Sequence, residues 1–133
     1  MPQTDLAVLL ADVDGEIRVL ESSLGDGAEP PPGAVVDAAQ ALTQRMIAGY
    51  LSAATDKTMP ATDDLLTLWK VLVKGDPTWN TIRDNCRELV YYRNCLDAGR
   101  ADALPARPAR MAVRTLRHLH LFIKSRCERE GRL

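Results

Sequence analysis

Residues 5–24 read DLAVLLADVDGEIRVLESSL, and this stretch decides the fold class. Leu6, Leu10, Val13, Ile17, Leu20 and Leu24 recur at spacings of 4, 3, 4, 3 and 4. That is the apolar stripe of an amphipathic helix, sustained over several turns. Thr4 or Asp5 can cap its start, because a side-chain oxygen there accepts from an unpaired first-turn N–H. Gly15 weakens the pattern slightly, at about 1 kcal/mol relative to Ala. The run Gly25-Asp26-Gly27-Ala28-Glu29-Pro30-Pro31-Pro32 ends it, since no helix continues through such a segment.

Outward from this helix the same period returns. Over 33–54, Val35, Ala39, Leu42, Met46, Gly49 or Tyr50, and Ala53 repeat the seam, and Ala38, Ala41 and Ala48 let a neighbour approach closely. A short helix is expected over 62–74, capped by Thr62 or Asp63, with Leu65, Leu66, Leu68, Trp69, Leu72 and Val73 forming one apolar arc. Asp76-Pro77 then opens a helix to about residue 98, closed by Gly99, with the stripe Trp79, Ile82, Cys86, Leu89, Val90 and Leu96. After Leu104-Pro105-Ala106-Arg107-Pro108 a last helix runs to about residue 130. Its apolar side is Ala112, Val113, Leu116, Leu119, Phe122 and Ile123. No segment alternates with period two, and Val71-Leu72-Val73 lies inside a helical pattern. The expected fold is all-α: an antiparallel helical bundle of four longer helices plus one short helix, in a single domain spanning 1–133.

Composition agrees with this reading. Apolar residues make up 46% of the 133, too many for a disordered chain. The longest apolar run, Leu6 to Ala11, is far short of the ~20 residues a membrane helix needs. Met1 to Asp5 carry no basic run, so a secretory leader is not expected. The three cysteines, an odd number, read as reduced thiols, and a cytoplasmic location is expected.

The common catalytic signatures fail. Gly25-Asp26-Gly27 lacks the third glycine of a dinucleotide turn. Asp12-Val13-Asp14-Gly15 fails as a calcium loop, because Ile17 stands where its glycine belongs and Ser23 where its closing Glu belongs. No Glu-x-x-His pair is present, as a di-iron bundle would need. His118 and His120 point about 200° apart on a helix and cannot chelate one ion. Only His120 could be joined by Cys127. Cys86 and Cys95 lie on opposite sides of the fourth helix, Cys86 in the core stripe. The turn at Gly75-Asp76-Pro77 does not make a convincing helix-turn-helix, since Arg83 and Arg87 are offset by Asp84 and Glu88. No cofactor and no metal are expected.

Two features remain. The first is a second stripe on the fourth helix, Asp84, Glu88, Tyr91 and Cys95, flanked by Tyr92. It reads as a helix buried on two sides with its carboxylates paired to arginines of the last helix, as a Tyr91-Tyr92-Cys95 interaction face, or as an acid/base pair. The second is charge. Residues 105–133 carry eight basic and two acidic side chains, net +6, while the remainder carries nine and sixteen, net −7. The overall −1 conceals a polarised molecule. Arg107, Arg110, Arg114, Arg117 and Lys124 fall within a helical arc of about 100°, with Leu121 among them. Such a ridge calls for anions, supplied by the rest of the chain, by an acidic protein or a second copy of this one, or by nucleic-acid phosphates. Arginine predominates, which suits planar carboxylate and phosphate contacts. The ridge has no interleaved aromatics, which argues against single-strand stacking.

The expectation is therefore a non-enzymatic accessory or regulatory protein. It would bind an acidic partner, or itself, through Arg107, Arg110, Arg114, Arg117, Lys124, Tyr91, Tyr92 and Cys95. The alternative is a small helical nucleic-acid-binding subunit of a larger complex. No membrane and no small-molecule substrate are implied.

Overall fold

The computed structural model describes residues 5–25, 29–54 and 64–133. These form five α-helices and no strand: α1 (Asp5–Ser23), α2 (Pro32–Ala54), α3 (Leu65–Gly75), α4 (Arg83–Asp97) and α5 (Pro108–Arg129). Two 3₁₀ segments, Pro77–Ile82 and Ala101–Ala103, precede and follow α4. The fold is all-α.

The ends follow local chemistry. Asp64 caps α3 by accepting from the Thr67 N–H at 3.0 Å. The expected caps Thr62 and Asp63, like Thr4 at the first helix, lie outside the described residues. Asp76 and Pro77 open the next element as anticipated, and the Asp76 carboxylate accepts from the Thr78 N–H. However, its first turns are 3₁₀ and the α-helix begins only at Arg83. The reason is a competing donor. The Trp69 indole donates to the Trp79 carbonyl at 3.1 Å, while the Arg83 N–H turns to Asn80. Three residues per turn also keep Trp79 and Ile82 on one side, and both are buried. Helices α4 and α5 end alike. Gly99 and Gly131 adopt left-handed φ values of 69° and 70°, and the next N–H reaches back five residues, Arg100 to Cys95 and Arg132 to Cys127.

Specific contacts give the helix directions. Arg45 meets Glu16, and Gly49 lies against Leu9, so α1 and α2 run antiparallel. Arg110 reaches Leu24, Arg117 reaches Glu21 and Asp14, and His120 reaches Leu10, so α1 and α5 are also antiparallel. Arg93 with Asp37, and Thr115 with Glu88, set α4 against α2 and α5. Glu29 and Tyr50 bracket α2 and contact Ala109 and Glu130 at the two ends of α5. Those two helices therefore run parallel. They share the most extensive packing in the molecule.

Most of the expected stripe residues are buried, while Leu20, Leu66, Val73, Val90, Leu96 and Phe122 are only partly so and Ala53 is exposed. Leu6, Leu10, Val13 and Ile17 of α1, and Ala112, Val113, Leu116, Leu119 and Ile123 of α5, enter one core that every helix supplies. Helix α2 buries more than its seam: Val36, Thr43, Ile47 and Leu51 are enclosed as well. The buried Thr43 hydroxyl donates to the Ala39 carbonyl of its own helix. At one end Trp79 stacks edge-on against Tyr50 and Phe122, with Arg126 over its face at 4.5 Å. Among the described residues, no helix is long and apolar enough to cross a membrane.

Candidate functional site

Helices α1 and α5 leave a groove between them on the outer surface. One end, of about 580 Å³, is lined by Arg110, Arg114, Arg117, His118 and Leu121, with Glu21 and Leu24 from α1. The other end, of about 440 Å³, continues past Leu121 to Lys124 and Leu133, with Asp14 and Arg18 opposite. Leu121 and Leu133 are 54% and 44% exposed, so two of the molecule's few exposed large apolar side chains share this groove.

The arginines of the ridge divide into two kinds. Arg117 lies between the helices, donating to Asp14 at 2.6 Å and to Glu21 at 2.8 Å. Its guanidinium holds both carboxyls below their ordinary pKa range. Arg110 donates through Nη2 to the Leu24 and Gly25 carbonyls, at 3.2 and 3.4 Å. It thereby meets the negative end of the α1 dipole. Arg114 and Lys124 stay exposed, as does His118. Lys124 has only a loose 3.9 Å contact with Glu128, and Arg114 has no ion pair among the described residues. Arg107 is exposed too, but it precedes the helix in a left-handed conformation with φ 55° and does not continue the ridge.

Beneath the groove His120 is buried and bridges the helices. Its Nε2–H donates to the Leu10 carbonyl at 3.1 Å, which leaves Nδ1 to accept from Arg117 at 3.4 Å. Burial pushes its pKa below the ordinary imidazole value, and the nearby Arg117 acts in the same direction. The ring sits there as the neutral Nε2–H tautomer.

The fourth helix presents less than its sequence suggested. Tyr91 is exposed, with its hydroxyl donating to the Ala103 carbonyl at 3.2 Å. Tyr92 and Cys95 are buried, at 3% and 6% exposure, so no continuous Tyr91-Tyr92-Cys95 face exists. The Tyr92 hydroxyl donates to Glu88, whose second oxygen accepts from Thr115 of α5 at 3.0 Å. The helix is buried on two sides, but its carboxylates do not meet arginines of α5. Asp84 stands in solvent beside Arg83. The α5 arginines pair instead with α1, with Asp76 and with Glu130. Asp84 and Glu88 thus occupy unlike surroundings rather than one shared cleft.

Cys86, Cys95 and Cys127 are free and buried, and burial raises the first and last thiols to about 12 and about 11. The Cys86 and Cys127 thiols therefore stay protonated and inert. Among the described residues no group of three His, Cys, Asp or Glu side chains is placed to hold a metal.

Three participants escaped sequence reading. Arg18 borders the groove from α1, which carries no basic signal, and Leu133 borders it from beyond the end of α5. Glu29, in the Pro-rich connection, accepts from the Ala109 and Arg110 N–H groups and caps α5 from 80 residues away. Comparison with protein families, curated proteins and solved structures finds no match to this chain.

Proposed function

We propose that this chain is a non-enzymatic accessory protein that binds an acidic protein segment in the groove between α1 and α5. The observation carrying this reading is the juxtaposition of exposed apolar side chains with basic ones, of which Arg114 has no ion pair among the described residues, Lys124 only a loose one with Glu128, and Arg18 one with Asp14 at 3.0 Å. Leu121 and Leu133 lie in the groove, and Arg18, Arg114 and Lys124 border it. Apolar anchors ringed by charge suit a partner that brings its own apolar residues flanked by carboxylates. Arg107 lies just beyond, where it would extend the attraction. Tyr91 stands on another helix and takes no part in this surface.

Leu121→Asp combined with Arg114→Glu tests the reading, because both positions are exposed and the fold tolerates their change. Affinity capture from a cell lysate with wild-type protein should retain a partner whose contact segment is acidic. The double variant should lose it, and nuclease treatment should leave retention unchanged. Equal retention by both proteins would overturn the proposal. Retention abolished by nuclease would replace it with nucleic-acid binding, whose affinity falls steeply with salt.

A further inference from the structure

Within the groove, one end differs chemically from the other. Arg110, Arg114 and His118 follow one another at single-turn intervals on α5 and line the same 580 Å³ recess. The carboxylate in that lining is Glu21, and Arg117 engages both of its oxygens, at 2.8 and 3.3 Å. No carboxylate among the described residues pairs with the side chain of Arg110, Arg114 or His118. Arg110 is held in place by two backbone carbonyls, yet its Nε is buried and has no hydrogen-bond partner. The Arg110 guanidinium therefore stands in the recess with backbone carbonyls for partners and no carboxylate to neutralise its charge.

We propose that Arg110, Arg114 and His118 form a subsite for a phosphomonoester dianion. The donor set favours phosphate over a single carboxylate. A tetrahedral dianion can accept from the Arg114 fork and from His118 while lying beside the Arg110 guanidinium, and it balances two guanidinium charges. A carboxylate brings one charge and two oxygens. The anchored Arg110 loses little side-chain freedom on binding, so part of the ordering cost is met before the ligand arrives. The N-terminus of α5 is not the source of attraction, because Glu29 already occupies its first N–H groups. The subsite lies on the opposite side of Leu121 from Lys124 and Leu133 and does not depend on a protein segment docking there. The dianion could belong to a free phosphorylated metabolite or to a phosphorylated side chain; the chemistry recognised is the same.

The test is a titration of the isotope-labelled full chain with inorganic phosphate, O-phosphoserine and adenosine monophosphate. Ionic strength is held constant with chloride, and backbone and arginine side-chain resonances are followed. Saturable shifts concentrated between residues 110 and 118 are expected. Tighter binding of phosphoserine would identify a phosphorylated segment as the source, and tighter binding of the nucleotide a metabolite. Arg114→Ala and His118→Ala, both at exposed positions, should each weaken phosphate binding by about tenfold. Lys124→Ala should change it less than twofold. Absence of saturable binding would overturn the proposal, as would equal losses in the three variants, which would indicate diffuse attraction to a basic surface. Tighter binding of a short DNA duplex than of all three monoesters would also overturn it.

Discussion

Two arginines one turn apart illustrate how neighbouring side chains of one type come to serve different ends. Arg117, its own side chain largely covered, joins α5 to Asp14 and to the exposed Glu21, whereas Arg114 projects into solvent. Arg117→Ala should destabilise the protein by about 1–2 kcal/mol, because charge-assisted hydrogen bonds are lost, Glu21 loses its arginine and Asp14 keeps only Arg18. Arg114→Ala should stay within about 0.5 kcal/mol of wild type. Urea denaturation of the two variants checks the contrast, and similar losses would contradict this division. His120 makes the same seam sensitive to pH. Its folded-state pKa is depressed chiefly by burial, with Arg117 and Lys124 also opposing its charge and the Leu10 carbonyl and Asp14 only partly compensating. As pH falls below the unfolded value near 6.5, the unfolded chain takes up a proton that the folded ring resists. Stability should therefore decline from about pH 6.5 downward, by at most about 1.4 kcal/mol per pH unit, until the folded pKa is passed. Asp14 and Glu21 add their own loss at lower pH, as they protonate. In His120→Gln the slope between pH 6.5 and 5 should flatten, whatever the variant's absolute stability. An unchanged slope would mean that another group is responsible.

At the level of elements, helix identity was legible because each apolar stripe repeats near every 3.6 residues, and most members of those stripes are buried. What was not legible depends on contacts remote in the chain. The 3₁₀ start before α4 arises because Trp69 takes the carbonyl that Arg83 would otherwise use. Local sequence holds no trace of that competition. The burial of Tyr92 and Cys95 follows from α4 packing against both α2 and α5, and a period-3.6 pattern cannot say how many neighbours a helix has. The basic ridge was visible as a ridge. Its division into internally paired and free cations was not, since Asp14 and Glu21 lie some hundred positions away. Glu29 belongs to the same class of surprise. It caps a helix 80 residues distant, a role usually filled by the residue just before the helix, which here is Arg107 with no side-chain cap. Glu29→Ala should cost about 1 kcal/mol and fray the first turn of α5, while Glu29→Gln, which keeps an acceptor, should cost less. Thermal melts of the two variants, with exchange rates at Ala109 and Arg110, would show it. Equal melting of Glu29→Ala and wild type would remove the cap from the account.

Across the whole molecule, the parallel pair α2 and α5 holds the central place. Each of these helices packs against α1 and α4, and α2 packs against α3 as well. This explains why α2 buries Val36, Thr43, Ile47 and Leu51 beyond its expected seam. It also explains why the exposed basic strip of α5 is narrow: most of that helix's circumference is taken. A protein built this way opens from its flanks, because local unfolding begins where the fewest buried contacts must be broken. Native-state hydrogen exchange should therefore rank the helices. Amides near Ala39–Ile47 of α2 and Leu116–Ile123 of α5 should exchange only through global unfolding, with protection that follows denaturant stability. Amides of α1 should exchange through smaller openings, since that helix can detach by breaking the Arg117 and His120 ties and its own apolar stripe. Arg117→Ala should accelerate exchange in α1 by roughly tenfold and leave the ranking of α2 and α5 intact. If α1 instead kept the slowest amides, or if α2 and α5 exchanged independently of each other, the central pair would not be the part of the fold that lasts longest. The groove would then lie beside the most durable helix of the molecule rather than over a seam that can part.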